Sequence, residues 1–318
     1  MNKVVVLGGS GFVGTNLVKI LKKNFQVVIG DIKLSSTYPD LHQFCDVTNK
    51  SSLYDVCNGA DTIVNLAAEH RDNVTPITLY DDVNVSGATN VCEVADRCGI
   101  NNIIFTSSVA VYGFSKIVND ESAEINYFND YGRTKWKAEQ EYVKWRNLSK
   151  DNCLTIIRPT VIFGLGNRGN VYNLFNQIAK KRFIMIGNGN NKKSMAYVHN
   201  VCAFIDFSIQ KRFAFEIFNY VDGPDLSMNE LVETIYIALG RKPSHMFKMP
   251  IFFAYLIAFI FDLISKLTSK KFSISRIRIK KFLSDSTFDA KKSLAYGFIP
   301  PKNLKNSIEK TIKEEFQN

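Results

Sequence analysis

A tyrosine and a lysine four residues apart, Tyr131 and Lys135, are the pair of side chains in this sequence best suited to proton transfer. On a helix, residues at this spacing share one face and their side chains can interact. An ammonium beside a phenol favours the phenolate, so we expect Lys135 to lower the pKa of Tyr131 from about 10 toward neutrality. Such a phenolate can take a proton from a hydroxyl and return it to a carbonyl. The spacing alone is common on solvated helix faces; a glycine-rich turn and the segment Phe105-Thr-Ser-Ser108 upstream favour a catalytic role.

The glycine-rich turn near the N-terminus has the spacing of a dinucleotide-binding site. Gly9, Gly11 and Gly14 follow a strand candidate and open a helix candidate, so the turn can bring backbone close to a pyrophosphate at a helix N-terminus. Asp31 ends the next strand candidate, where a carboxylate accepts hydrogen bonds from the adenosine ribose and repels a 2′-phosphate. NAD is therefore predicted rather than NADP, although Lys33 lies close by. A capping role for Asp31 is the alternative.

The first half of the chain alternates short apolar runs with helix-like segments, which is typical of a parallel sheet covered by helices on both faces. The strand candidates are 4–7, 26–30, 62–66, 102–106 and 154–157, with 216–220 as a late strand. The helix candidates are about 12–23, 50–57, 77–98, 128–149, 171–181 and 199–210. We therefore predict an α/β fold with a doubly wound (Rossmann) parallel sheet.

Two structural units are expected along the chain. Residues 1–165 would form the NAD-binding Rossmann domain, completed by about 192–222. Residues 166–191 and 223–318 would form a smaller, mainly helical substrate-binding subdomain. We expect this subdomain to close over the carboxyl ends of the strands, where doubly wound sheets bind their ligands.

The composition is that of a folded protein with reduced thiols. The 318 residues are 46% hydrophobic, which is enough for a large core and argues against disorder. The six cysteines are scattered without a Cys-x-x-Cys pair, so we expect buried thiols in a reducing compartment and no metal site. A strand candidate starts almost at Met1 and leaves no room for a signal peptide, so a cytoplasmic location is expected.

The positive charge is concentrated near the C-terminus. The net charge is +10; residues 1–240 carry 24 Lys and Arg against 24 Asp and Glu, whereas residues 241–318 carry 16 against 6. This region includes the apolar run 251–261, shorter than the about 20 residues of a transmembrane helix. It is either a helix buried against the second subdomain or a partner subunit, or part of a peripheral membrane contact over 251–281. Nucleic acid is not expected as a partner, because no reader motif accompanies the charge.

The motifs, taken in order, resemble those of the extended short-chain dehydrogenase/reductase family, in particular its NAD-dependent nucleotide-sugar epimerase/dehydratase branch. The resemblance covers essentially the whole chain. The matching segments are Gly8-Gly-Ser-Gly-Phe-Val-Gly14, Asp46-Val47, Asn65-Leu-Ala-Ala68, Phe105-Thr-Ser-Ser108, Val111-Tyr-Gly113, Tyr131-Gly-Arg-Thr-Lys135, Arg158-Pro159 and Tyr197-Val198.

The resemblance implies a role for each matching position. Tyr131 would be the catalytic base or acid, Lys135 would bond the nicotinamide ribose, and Ser108 would bond the reacting hydroxyl or carbonyl. Asn84 would support the central helix and nearby loops. The residues expected to bind NAD are Gly8, Gly11, Phe12, Val13, Gly14, Asp31, Asp46, Val47, Leu66, Ala67, Ala68, Ser107, Tyr131, Lys135 and Pro159. A homodimer through the helix at 77–98 and the helix bearing Tyr131 is also implied.

Departures from the family pattern bear on the reaction and on the substrate. Dehydratases of the family carry Asp-Glu directly after the catalytic hydroxyl residue; Val109 and Ala110 stand there, so elimination of water is disfavoured. Many epimerases have an Asn near the glycosyl phosphates where this chain has Val161, and an Arg just before the tyrosine of the late strand, which Tyr197 lacks. The predicted substrate contacts are Ser108, Arg168, Lys193 and Tyr197, with the basic C-terminal segment as a further source of phosphate contacts.

The predicted function is an NAD-dependent nucleotide-sugar 4-epimerase of surface polysaccharide precursor synthesis. It would oxidise C4 transiently and return the hydride to the opposite face. The preference for NAD favours this reaction, because a redox-neutral cycle retains an oxidised cofactor. The alternatives are a 4-keto-nucleotide-sugar reductase or a 3β-hydroxysteroid dehydrogenase-like oxidoreductase, and a non-catalytic NAD-binding scaffold, against which the intact Ser108, Tyr131 and Lys135 argue.

Overall fold

The protein is built from alternating strands and helices followed by a mainly helical C-terminal part. The computed structural model describes residues 2–71, 74–113, 118–242, 248–268 and 276–317. The strands are β1 Lys3–Leu7, β2 Gln26–Asp31, β3 His42–Phe44, β4 Thr62–Asn65, β5 Asn102–Thr106, β6 Cys153–Pro159, β7 Val161–Phe163, β8 Met185–Ile186, β9 Lys192–Tyr197, β10 Phe215–Tyr220, β11 Asp222–Ser227 and β12 Lys248–Met249. The helices are α1 Phe12–Leu21, α2 Lys50–Cys57, α3 Gly87–Cys98, α4 Asp130–Leu148, α5 Asn170–Ala179, α6 Val198–Lys211, α7 Met228–Ala238, α8 Ile251–Thr268, α9 Arg276–Leu283, α10 Lys291–Ala295 and α11 Leu304–Phe316.

A parallel sheet forms the central layer. In the described chain its strand order is β10-β6-β5-β4-β1-β2-β3, and every neighbouring pair is parallel. Alternate side chains of β1 enter opposite cores: Val4 and Val6 pack with α1 and α6, whereas Val5 and Leu7 pack with α2, α3 and α4. Strands buried on both faces explain the continuous apolar runs of the sequence. The predicted doubly wound α/β fold is confirmed.

The strand order reverses at β1, which lies between β2 and β4. The turn after β1 meets the segment after β4 here: a Cβ on Gly8, whose φ is +75°, would lie 2.7 Å from the backbone nitrogen of Ala67. Only glycine fits this position without strain. In doubly wound sheets, the crevice at the carboxyl ends of the strands where the order reverses binds ligands.

The C-terminal part adds a small sheet that the sequence did not predict. Strands β11, β9 and β7 form it in that order, with β11 antiparallel to β9 and β7 parallel to it. Strands β8 and β12 pair separately. Strand β7 has three residues, and β11 (DGPDLS) contains residue types depleted in strands, so neither has a strong strand signal. The prediction for the region beyond 222 holds for α7 to α11 and misses β11 and β12.

The apolar run at 251–261 belongs to a longer helix, α8, of 18 residues. Across the described ranges, no helix is both long and apolar enough to cross a membrane. The stretch 269–275 of the predicted membrane contact over 251–281 lies outside the described residues.

Candidate active site

Tyr131 is held in the first turn of α4. The side chain of Asn129 caps this helix by accepting a hydrogen bond from the Gly132 N–H, at 2.9 Å. Gly132 permits close packing, because a Cβ there would lie 2.4 Å from the backbone oxygen of Ala110. Ala110 belongs to the short helical turn that follows Ser108. The contact therefore brings Ser108 toward Tyr131, close enough for the Ser108 side chain to act on the pKa of the Tyr131 phenol.

Burial controls the protonation of the Tyr131–Lys135 pair. It raises the pKa of Tyr131 to about 12, with the Ser108 hydrogen bond acting in the opposite direction. It lowers the pKa of Lys135 to about 7, with the Glu139 carboxylate acting in the opposite direction. For the chain by itself, the pKa of Tyr131 is thus raised by burial, opposite to the lowering predicted from the sequence.

A buried ion pair lies one helical turn beyond Lys135. The carboxylate of Glu139 accepts two hydrogen bonds from Arg158, at 2.9 Å from Nε and 2.5 Å from Nη2. Glu139 is fully buried and Arg158 is 2% exposed. The Lys135 ammonium lies 4.4 Å from the centre of the Phe105 ring, on the other side of the site. Glu139 was not predicted as part of the site, although it lies four residues after Lys135 on the same helix, a spacing at which side chains can interact.

The same arginine connects the ion pair to the turn after Ser108. Its Nη1 donates to the Tyr112 hydroxyl at 2.7 Å, and that hydroxyl donates to Oδ1 of Asn219 at 2.8 Å. Asn219 belongs to β10, so the chain of bonds joins α4, β6, β10 and the turn. This network fixes the backbone on which Ser108 stands.

Asn84 joins the loop after β4 to α4. Its Oδ1 accepts from the Glu69 N–H at 2.8 Å, and its Nδ2 donates to the Glu69 carbonyl oxygen and to Thr134 Oγ1. Asn84 stands in a π-helical stretch, Asp81–Ser86, that precedes α3. This is the supporting position that the resemblance implied for it.

The glycine-rich turn forms a cradle that fits the pyrophosphate of NAD. Gly11 precedes α1, and within the described residues no side chain caps the first N–H groups of this helix, which include those of Phe12 and Val13. A Cβ on Gly14 would lie 2.5 Å from Gly9 Cα, so the turn closes tightly. Uncapped N–H groups at a helix N-terminus favour an anion.

The carboxyl ends of β2 and β5 provide polar groups beside this cradle. Asp31 accepts hydrogen bonds from the N–H groups of Ser10 and Lys33, one at each oxygen, which leaves each oxygen a lone pair for a ribose hydroxyl. Ser107 is buried, and its Oγ has no hydrogen-bond partner among the described residues. An unsatisfied buried hydroxyl in this crevice is consistent with a bound ligand. These residues fit NAD.

The other predicted NAD contacts lie at the same edge of the sheet. Asp46 accepts from the Thr48 N–H and hydroxyl, so part of its carboxylate is used in a local turn. Val47 is buried, and a Cβ on Gly87 of α3 would lie 2.9 Å from its side chain. Leu66, Ala67 and Ala68 follow β4, and Pro159 ends β6. Their contacts with NAD stay predictions.

The predicted substrate contacts other than Ser108 are occupied by contacts within the chain. Arg168 pairs with Glu315 of α11 at 2.9 Å. The Lys193 ammonium donates to the carbonyl oxygen of Lys281 at 3.0 Å, and burial lowers its pKa to about 8. Tyr197 is buried, and its ring packs on other aromatic rings. The structure brings Ser108 toward Tyr131, with Lys135 one helical turn further along α4. The role of Arg168, Lys193 and Tyr197 toward a substrate stays a prediction.

Comparisons with known proteins match this site to a family. The model of the NAD dependent epimerase/dehydratase family matches residues 4–220, which include the glycine cradle, Ser108, Tyr131 and Lys135. Over 317 residues the chain is 45% identical to the N-acetyl-alpha-D-glucosaminyl-diphospho-ditrans,octacis-undecaprenol 4-epimerase of Escherichia coli O157:H7, covering 99% of this chain and 96% of that protein. It is 29% identical to the UDP-glucose 4-epimerase of Vibrio cholerae, covering 99% and 95%.

The fold has a matching solved structure. The UDP-N-acetylglucosamine 4-epimerase of Bacillus cereus superposes with a TM-score of 0.77 at 18% identity, covering 100% of both chains. At this identity the likeness supports the fold alone. The family match spans more than half of the chain and contains the proton-transfer and dinucleotide-binding residues. The protein therefore belongs to the NAD dependent epimerase/dehydratase family, and it is an NAD-dependent enzyme.

Proposed function

We propose that this enzyme inverts the C4 hydroxyl of an N-acetylhexosamine that is joined through a diphosphate to a polyprenol. The observation that carries the proposal is the 45% identity, over nearly the full length of both chains, to an epimerase whose name specifies that carrier. The predicted NAD-dependent nucleotide-sugar 4-epimerase is confirmed in its enzyme class by the same relative and by the UDP-glucose 4-epimerase. The polyprenol beyond the diphosphate goes further than the nucleotide-linked sugar predicted from the sequence.

Each residue of the site has its own role in the proposed reaction. NAD, held by the glycine cradle before α1 and by Asp31, would supply the hydride acceptor and donor for C4. Tyr131 takes the proton from the C4 hydroxyl during oxidation and returns it to the same oxygen during reduction, so the sugar leaves at its original oxidation level. Ser108 hydrogen-bonds that oxygen, and Lys135 is the residue that would bond the nicotinamide ribose. Val109 and Ala110 offer no carboxylic acid for elimination.

A nucleotide-linked sugar is the second candidate substrate. The relative from Vibrio cholerae, at 29% identity, is named for UDP-glucose. The net oxidoreductases considered from the sequence have weaker support: the sterol-4-alpha-carboxylate 3-dehydrogenase of Saccharomyces cerevisiae is 26% identical to the chain over 353 aligned residues. A net oxidoreductase would consume one cofactor per turnover, whereas an epimerase leaves the cofactor unchanged.

Purified enzyme should be incubated separately with polyprenyl-diphospho-N-acetylglucosamine, UDP-N-acetylglucosamine and UDP-glucose. The released sugars should be separated by chromatography and the absorbance of NADH followed in parallel. We expect the C4 epimer from the lipid-linked sugar without net NADH formation, with a kcat/KM at least about tenfold above that for the UDP-sugars. A tenfold ratio corresponds to about 1.4 kcal/mol of preferential transition-state binding. Turnover of UDP-sugars alone would reject the polyprenol carrier, and stoichiometric NADH would reject epimerisation.

A polyprenyl-linked substrate would bring the enzyme to a membrane surface, on the cytoplasmic side that the sequence analysis predicted. The predicted homodimer is a separate part of the proposal. Its expected interface, α3 and α4, presents mostly charged residues to solvent, including Glu93, Lys137 and Lys144. Sedimentation of the purified chain measures its oligomeric state directly.

A further inference from the structure

The solvent-facing surface of α8 is apolar over most of its circumference. Its buried side is narrow, with Ala254 and Ala258 packed against Ile279 of α9. The large apolar side chains elsewhere on the helix are all more than a third exposed: Ile251, Phe252, Phe253, Leu256, Ile257, Phe259, Ile260, Leu263 and Ile264. Contiguous exposed apolar surface of this extent marks an interaction site.

Positive charge borders this apolar surface. The acidic residue within α8, Asp262, is paired with Arg276 at 2.9 Å, so its charge is balanced. On α9, Arg278, Lys280 and Lys281 are exposed. Between residues 266 and 281 the sequence carries seven Lys and Arg and no Asp or Glu. A patch that combines large apolar side chains with clustered cations complements a surface of acyl chains below anionic headgroups.

We propose that α8 and α9 together, hereafter the α8–α9 surface, dock on an anionic lipid bilayer. Helix α8 lies in the plane of the interface because it is not suited to crossing the membrane. Its outward stripe of Phe252, Leu256 and Leu263 enters the acyl boundary, and the cations of α9 meet the lipid phosphates. Charge complementarity favours this occupant over a second copy of the chain, whose net charge is also positive. Docking of the α8–α9 surface extends the proposed function. It rests on that function only in one respect, the identity of the substrate that the bilayer would hold.

The α8–α9 surface is tied to the catalytic part of the molecule. Asn191 donates to the carbonyl oxygen of Phe282 at 2.7 Å, which fastens the end of α9 next to β9. The Lys281 ammonium lies 5.7 Å from the centre of the Phe128 ring, and Phe128 stands three residues before Tyr131. Docking through this surface therefore brings the entrance of α4 near the headgroups. A substrate whose polyprenyl chain stays in the bilayer can then present its sugar to Tyr131.

The test is sedimentation of the full-length enzyme with vesicles of phosphatidylcholine mixed with phosphatidylglycerol, compared with phosphatidylcholine alone. The native enzyme should bind the anionic vesicles at low salt and be released at high salt. The variant Phe252→Ser/Leu256→Ser/Leu263→Ser should bind at least about a hundredfold more weakly, since each of the three side chains loses roughly fivefold or more in apolar transfer. The variant Arg278→Gln/Lys280→Gln should bind about thirtyfold more weakly to anionic vesicles alone.

A matched control changes exposed apolar residues outside α8. Leu148→Ser/Ile237→Ser/Ile299→Ser removes three comparably exposed side chains and should bind vesicles like the native enzyme. The α8 variant and this control should keep native activity on a sugar diphosphate with a short, water-soluble prenyl chain in the absence of vesicles, which shows that they are folded. The α8 variant, unlike the matched control, should lose turnover when the substrate is embedded in vesicles.

Three results would overturn the docking proposal. The first is that the native enzyme does not bind anionic vesicles at low salt. The second is that the α8 variant binds them as well as the native enzyme does. The third is that the native enzyme is a dimer, the α8 variant is a monomer, and neither protein binds vesicles. The last result would make the surface a contact between copies of the chain. The vesicle assay contains no substrate, so it is independent of the proposed function. Strong docking with turnover of UDP-sugars alone would reject the polyprenol substrate and leave the docking surface standing.

Discussion

Replacing Lys135 by Met is expected to stabilise the NAD-free protein at mildly acidic pH while it removes activity. Burial lowers the pKa of Lys135 from 10.5 to about 7. At about 1.4 kcal/mol per pKa unit, holding the protonated lysine in its site costs about 4 to 5 kcal/mol. The unfolded chain binds this proton up to about pH 10.5 and the folded chain only below about pH 7, so native stability rises with pH between these values. The cost is fully present below pH 7 and is lost as the pH approaches 10.5.

Urea unfolding, followed by tryptophan fluorescence at about pH 6 and about pH 9.5, measures this difference. At the lower pH, the free energy of unfolding of Lys135→Met should be about 2 to 4 kcal/mol higher than that of the native protein. The loss of the cation–π contact between Lys135 and Phe105 reduces this gain. At the higher pH the difference should be much smaller. The control is Lys137→Met on the same helix, whose half-exposed side chain pairs loosely with Asp81 and should change stability by less than about 0.5 kcal/mol. A Lys135→Met protein no more stable than the native one at pH 6 would refute the reasoning.

Two further substitutions, each with a matched control, test the site. Tyr131→Phe should lower the rate of C4 inversion by about two to four powers of ten while NAD content, measured by mass spectrometry, is retained. Tyr112→Phe should lose about 1 to 3 kcal/mol in urea unfolding, because it leaves Arg158 short of a partner. It should lower turnover far less than Tyr131→Phe, because Tyr112 acts only through the backbone that carries Ser108. Native turnover in Tyr131→Phe would reject its role. Glu139→Gln should lose about 3 to 5 kcal/mol, since it leaves a buried arginine unpaired, whereas Glu141→Gln breaks only an exposed pair and should lose less than about 0.5 kcal/mol. If Glu139→Gln and Glu141→Gln lost the same free energy of unfolding, burial would not be what makes the Glu139–Arg158 pair important for stability.

Much of the central sheet could be predicted from the sequence because its signals are local. Each strand candidate overlaps an observed strand within a few residues, since a buried parallel strand is a short apolar run between turn residues. The β7–β9–β11 sheet could not be predicted in this way. Its strands are short or rich in Gly, Pro and Asp, and their pairing joins segments far apart in the chain.

Part of the active site could also be predicted from local patterns in the sequence. The glycine cradle, Ser108, Tyr131 and Lys135 can be identified from residue types at fixed spacing, and the structure brings Ser108 toward Tyr131, one turn of α4 before Lys135. The Glu139–Arg158 pair was not predicted, because residues 19 positions apart in sequence meet only through the packing of α4 on β6. Arg168 and Lys193 were chosen for their charge, yet a charge in sequence does not reveal whether a nearby carboxylate or carbonyl already satisfies it.

The sequence by itself determined the order of chemical groups: a dinucleotide turn, a serine at a strand end, a tyrosine and lysine on one helical face, and a basic, apolar segment near the C-terminus. Only the tertiary structure decided how those groups are protonated and which surfaces remain open to solvent. The pKa of Tyr131 is raised mainly by its burial, which no spacing in the sequence reveals. The exposure of α8 likewise depends on what packs against it, and the helix buries Ala254 and Ala258 against Ile279 of α9. Local spacing fixes the identity and order of the reacting groups, whereas burial, which sets their energies, is a property of the whole fold.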